Sequence, residues 1–189
     1  SKTKGRSTMK ATGIVRRIDD PGRVVIPKEI RRTMRIREGD PLEIYTDKEG
    51  EVIFKKYSQM GEMSTYAQMY TDTLTKSTGL SSVICDRDVI VAVSGSVKRD
   101  ILEKPVGEGV ERIMESRQPY VYHPGDSKRV QMASGNEKIF ASVCVPVLME
   151  GDVVGAVALI LPETGAVAGE GDVKLLQAIA GLLGRQLEA

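Results

Sequence analysis

The chain has 189 residues, 41% hydrophobic and 28% charged, a composition suited to a folded, water-soluble protein with room for two small domains. No run approaches the roughly 20 apolar residues that a bilayer-spanning helix needs, and the first residues carry no apolar signal segment, so a cytoplasmic protein with no membrane partner is expected. The net charge of +1 hides an asymmetry: residues 1–57 carry 15 Lys and Arg against 9 Asp and Glu, and residues 58–189 carry 12 against 17. Only the first segment is suited to a polyanion.

Residues 1–8 read as a leader outside the fold. Part of the basic excess, Lys2, Lys4 and Arg6, sits there, so the placement of the remaining charges matters more than their sum. From Met9 the pattern is four short strands divided by turns. Residues 13–18 form a first strand, closed by Asp19, Asp20, Pro21 and Gly22. Residues 23–26 form a second, stopped by Pro27. Residues 28–34 read as one or two helical turns, with Pro27 near the helix start, where a missing N–H costs little. Residues 41–45 alternate in period two and lead through 47–50 into the hairpin partner 51–56. Four short strands in fewer than fifty residues bury too little surface to stand alone, so dimerisation is expected.

The stretch TGIVRRIDDPGRVVIPKEIRRTMRIREGDPLEIY resembles the AbrB-like family of swapped-hairpin DNA-binding domains, with Pro21 standing where that family often has leucine. The resemblance implies that two chains exchange hairpins to build one small barrel that presents arginines to double-stranded DNA. Residue by residue, it implies Arg16, Arg17, Arg23, Arg31 and Arg32 as DNA-facing, with Lys10 and Lys28 supporting. The chemistry agrees, because the planar guanidinium fork suits both phosphates and guanine edges. Antitoxins that use the same domain are the alternative, but they carry short disordered tails rather than a long folded second half.

Residues 58–78 contain no proline and place Met60, Met63, Ala67, Tyr70 and Leu74 at alternating steps of 3 and 4. That seam predicts an amphipathic linker helix that either covers its own domain's sheet or pairs with a second copy.

In the remainder, 79–189, strands are expected at 82–85, 89–93, 120–122, 129–132, 140–148 and 153–160. Helices are expected at 96–102, 107–117 and 170–187. The closing helix repeats the 3 and 4 steps with Val173, Leu176, Ala180, Leu183 and Leu187. Cys85 and Cys144 lie in apolar runs and read as buried free thiols. His123 is the only histidine, no phosphate loop follows the glycines near 95–109, and no acid–base or metal cluster is visible. Neither enzyme chemistry, nor a metal, nor a cofactor is therefore expected.

The segment VPVLMEGDVVGAVALI is similar to the C-terminal hairpin of GAF domains, with Pro146, Gly151 and Gly155 at matching places. The resemblance implies an antiparallel sheet with helices on one face and a ligand cavity on the other. For that cavity the candidate polar residues are Ser94, Ser96, Arg129, Gln131 and Ser142, and the alternative is a cavity-free domain that serves purely as an oligomerisation platform. An AbrB-like domain followed by a helix and a GAF-like domain resembles the architecture of sporulation transcription regulators. The resemblance implies tetramers in which the first and last helices of paired GAF-like domains bundle together. The expected class is α+β, and the expected function is sequence-specific regulation of transcription.

Overall fold

The computed structural model describes residues 13–188. The expected leader (1–8) and Lys10 lie outside the described residues. The chain divides into two compact units between Tyr57 and Ser58.

In the first unit, helix α1 spans Lys28–Met34. It starts after Pro27 and ends at Arg35, whose left-handed conformation lets the Ile36 N–H donate back to the Arg31 carbonyl (2.8 Å). Strands β1 (Leu42–Thr46) and β2 (Val52–Lys56) form an antiparallel hairpin, with Ile44 opposite Phe54. Asp47 closes its turn by accepting the backbone N–H groups of Glu51 (2.8 Å) and Glu49 (3.0 Å). These bonds, Glu51's first, hold the Asp47 carboxyl below its ordinary range. The Lys56 ammonium donates to the Arg35 carbonyl at 3.0 Å and ties the hairpin to the end of α1.

Residues 13–18 and 23–26, expected as strands, are arms that belong to no strand of the described residues. A tight turn joins them: the Gly22 N–H donates to the Asp19 carbonyl (2.7 Å) and the Asp19 N–H to the Arg23 carbonyl (2.9 Å). The physical reason is that no described strand lies alongside them. Their apolar side chains stay in solvent, Val15 at 87%, Ile18 at 71% and Val25 at 66% exposure. Among the described residues of this unit, Pro27 alone is buried.

The second unit is built on a five-stranded antiparallel sheet. Its elements in chain order are α2 (Gln59–Glu62), α3 (Ser64–Thr78), β3 (Ser82–Cys85), β4 (Ile90–Ser94), α4 (Lys98–Ile101), α5 (Glu108–Ser116), β5 (Tyr120–Val121), β6 (Ala141–Met149), β7 (Asp152–Ile160) and α6 (Glu170–Glu188). The strand order is β4-β3-β7-β6-β5. The β6–β7 hairpin turns on Glu150 and Gly151, both at positive φ, which suits the right-handed twist of the flanking strands.

Strand alternation sorts β7 cleanly: Val157 and Leu159 face one side, Ala156, Ala158 and Ile160 the other. On the first side, Ala67, Leu74, Leu176, Ala180 and Leu183 of α3 and α6 seal Ile84, Val143, Val145 and Val147. On the second, Ile101, Val110 and Met114 of α4 and α5 join Met132, Ala133 and Ile139 over Val83, Cys144 and Ala158. Helices therefore cover both faces, not one. Burial on both sides is why the sequence from Val153 to Leu161 is continuously apolar rather than alternating.

Other expectations shift. The linker helix is interrupted at Met63 (φ −101°, ψ 21°), next to the helix-weakening Gly61. Residues 129–132 make a single bridge, Gln131 to Phe140, instead of a strand. The helix expected over 96–102 is one turn.

Candidate nucleic-acid interface

Arg16, Arg17 and Arg23 lie on the arms and turn, Lys28 in the first turn of α1, and Arg31 and Arg32 in its last; all six are exposed. A basic last turn complements the negative end of a helix, which explains Arg31 and Arg32 locally without any ligand. Two of these side chains are tethered. The Asp19 carboxylate accepts the Arg23 backbone N–H through Oδ1 (2.6 Å) and faces Arg23 Nε through Oδ2 (3.3 Å). Arg31 Nε donates to the Ile26 carbonyl at 3.1 Å. The side chains of Arg16, Arg17 and Arg32 have no partner among the described residues. The acidic partner of Arg23 had a visible sign in the sequence, four-residue spacing across a Pro-Gly turn, but the tether to Ile26 had none.

The five residues proposed for a ligand cavity do not converge. Ser94 lies on the α3 side, where its hydroxyl donates to Asp72, receives Gln68 Nε2 (3.1 Å) and lies 3.3 Å from the Thr71 hydroxyl. Those bonds, Ser94's first and then Gln68's, hold the Asp72 carboxyl below its ordinary range. Ser142 lies in β6 where the β6–β7 register is irregular, with its hydroxyl buried and without a hydrogen-bond partner among the described residues. The Tyr120 hydroxyl is in the same state, and burial, then the Asp126 carboxylate, pushes its phenol above the ordinary value. Arg129 is exposed, its guanidinium 5.6 Å from the Tyr122 ring centre and 5.5 Å from that of Phe140. Gln131 is half-buried and Ser96 exposed.

The two heptad seams are largely spent inside the chain. Met60, Ala67, Leu74, Leu176, Ala180 and Leu183 are buried against the sheet; Met63, Tyr70, Val173 and Leu187 are half-buried. The Tyr70 hydroxyl donates to Gln186 Oε1 (2.6 Å) and links α3 to α6. Apolar side chains left outside on these helices are Tyr66, Met69 and Leu182.

Cys85 and Cys144 are free and fully buried; burial pushes the Cys144 thiol up to about 12 and the Cys85 thiol well above its usual value. Thiolate is the reactive form. Iodoacetamide at pH 8 should therefore label neither cysteine in the folded chain and both after denaturation, as read by mass spectrometry.

Among the described residues, no helix is long and apolar enough to cross a membrane. Asp47, Glu49 and Glu51 bring carboxylates within 4.8 Å of one another, but they surround an ordinary hairpin turn that Asp47 already caps.

Comparison with known proteins places this geometry. Stage V sporulation protein T of Bacillus subtilis (strain 168) is 51% identical over 181 residues, which cover 95% of this chain and 99% of that protein. The family described as stage V sporulation protein T C-terminal, transcription factor, matches residues 62–188. The chain belongs to the stage V sporulation protein T family. The chain is also similar to the transition state regulatory protein AbrB of the same organism, 48% identical over 71 residues covering 38% of this chain and 73% of that one. The family described as antidote-toxin recognition MazE, bacterial antitoxin, matches residues 15–61. The second unit has the GAF fold. A GAF domain from an Acinetobacter phosphoenolpyruvate-protein phosphotransferase, 12% identical, covers 70% of this chain and 84% of its own at a TM-score of 0.55. The α+β class and the regulator family expected from the sequence stand.

Proposed function

We propose that this chain is a sequence-specific, DNA-binding regulator of sporulation transcription, acting by binding rather than catalysis. In this reading the first unit dimerises and sets Arg16, Arg17, Arg23, Arg31 and Arg32 against duplex DNA, with Lys28 and Lys10 beside phosphates. The observation that carries it is a small basic unit with exposed arginines, exposed apolar arms and one buried residue among those described. Such a unit is an incomplete fold waiting for its second half. The second unit would join dimers into tetramers through the outer sides of α3 and α6, where Tyr66, Met69 and Leu182 remain exposed. A small-molecule effector would bind in the second unit, where Tyr120 and Ser142 offer buried hydroxyls without a partner among the described residues.

The test is duplex binding by the full chain. An interface of six to ten phosphate contacts should lose about 10³–10⁵ in affinity between 50 and 200 mM salt. Arg31→Ala with Arg32→Ala should weaken binding at least about a hundredfold, since each dimer loses four guanidinium groups at about 1–3 kcal/mol per good contact. Circular-dichroism melting should stay close to wild type, because both sites are exposed. Wild-type affinity in that double variant would sink the reading. The MazE-type match to residues 15–61 favours a second reading, a protein-binding module. It predicts weak DNA binding with no sequence preference.

A further inference from the structure

The arginines of the first unit are not equivalent. We propose that Asp19 is a positioning residue that aims Arg23 for base reading, that the Ile26 carbonyl does the same for Arg31, and that Arg16, Arg17 and Arg32 supply untethered charge. The proposal rests on the DNA-binding reading above and adds a division of labour to it.

An acid in a DNA-facing turn opposes attraction to phosphate, so Asp19 must contribute something else. Its two oxygens do separate things. Oδ1 takes the Arg23 backbone N–H at 2.6 Å, and the Asp19 N–H meets the Arg23 carbonyl at 2.9 Å, so the turn is closed. Oδ2 faces Nε at 3.3 Å, which fixes one edge of the guanidinium and leaves its two terminal nitrogens for an outside partner. Arg31 repeats the arrangement with a different acceptor: Nε is engaged by Ile26 at 3.1 Å and the terminal nitrogens are not. A fork held by its Nε edge presents the end-on pair of donors that matches guanine O6 and N7. Fixing it beforehand removes freedom that would otherwise be lost on binding. Arginines without a tether adapt to phosphates, which fix position and carry no sequence information.

Asp19→Asn separates the two tasks. The amide keeps an oxygen for the Arg23 backbone N–H, so the turn survives, but its NH₂ cannot accept from Nε. The probes are a duplex selected from a random library by the wild-type full chain and a scrambled duplex of equal length. Asp19→Asn should weaken binding to the selected duplex about tenfold, while the scrambled duplex binds equally or more tightly because a negative charge has gone. Arg23→Lys, which keeps the charge and loses the fork, should show the same split. A merely structural Asp19 would weaken both duplexes together and lower the melting temperature. An unchanged ratio of the two affinities in Asp19→Asn overturns the proposal. If Arg23→Ala binds both duplexes like wild type while the Arg31, Arg32 double variant does not, Arg23 leaves the interface and Asp19's role goes with it. If neither binds differently from wild type, the DNA-binding reading itself fails.

Discussion

Replacing Gly184 with alanine should destabilise the second unit by about 3 kcal/mol or more, against the usual sign of that substitution in a helix. Glycine inside a helix normally costs about 1 kcal/mol relative to alanine, so the change is ordinarily favourable. Here α6 lies so close to β6 that a Cβ at Gly184 would sit 2.0 Å from the Leu148 carbonyl oxygen. That oxygen belongs to the strand backbone and cannot rotate away like a side chain. The helix must lift instead, and lifting opens the contacts of Leu176, Ala180 and Leu183 with the sheet. Overpacking of this kind costs about 1–3 kcal/mol even where side chains can yield. The same helix supplies the control. Gly181 is exposed with nothing within 4 Å of its would-be Cβ, so Gly181→Ala should stabilise by about 0.5–1 kcal/mol. Denaturant melts of the two variants should move in opposite directions. A Gly184→Ala variant that melts like Gly181→Ala would show that α6 does not seat this closely.

The contrast between those glycines marks the boundary of what the sequence discloses. Both read as weak points in an otherwise regular amphipathic helix, and only the packing tells them apart. Local chemistry was readable wherever it decides the structure by itself. Pro27 starts α1, Glu150 and Gly151 turn the β6–β7 hairpin, and the apolar run before Pro162 becomes a strand buried on both faces. What stayed hidden depends on partners distant in sequence or outside the chain. Steps of 3 and 4 along α3 and α6 show that each helix has an apolar stripe, but not that the stripe faces the chain's own sheet. Ser94 and Ser142 look alike in sequence, yet Ser94 sits in a hydrogen-bonded cluster with Gln68, Thr71 and Asp72 while the buried Ser142 hydroxyl has no partner among the described residues. Ser142 also stands where the β6–β7 register is irregular, between Ala141 and Val143, which no composition signal marks. The arginines proposed to face DNA were picked out by their motif, and the structure leaves them exposed. The tethers that distinguish Arg23 and Arg31 arise from a turn and from the close approach of an arm to α1.

In the proposed dimer the exposed arms at 13–18 and 23–26 are completed by a second chain, and they yield the second large effect. Ile44→Asp should abolish duplex binding, lowering affinity at least about a hundredfold, and remove the cooperative melt of the first unit while the second unit still melts as before. On a monomeric unit this substitution would be nearly neutral, because Ile44 is 64% exposed and exposed sites usually change stability by less than about 0.5 kcal/mol. In a dimer the exposed apolar side chains of the arms and hairpin become the shared core. An unpaired carboxylate from each chain would then be buried there, at a cost of several kcal/mol apiece. That cost exceeds what a unit of fewer than fifty residues can spare. The dimer also makes wild-type stability depend on concentration, so the first melt should rise as protein is concentrated and the second should not follow it through this interface. Sedimentation of Ile44→Asp should show loss of every association that runs through the first unit. A variant that still binds duplex DNA and melts in two concentration-independent steps would mean that the apolar arms are sealed within one chain by some other arrangement. In the proposed dimer two sets of five arginines meet one duplex, so the same substitution tests whether dimerisation, rather than any single contact, is the first requirement for binding DNA.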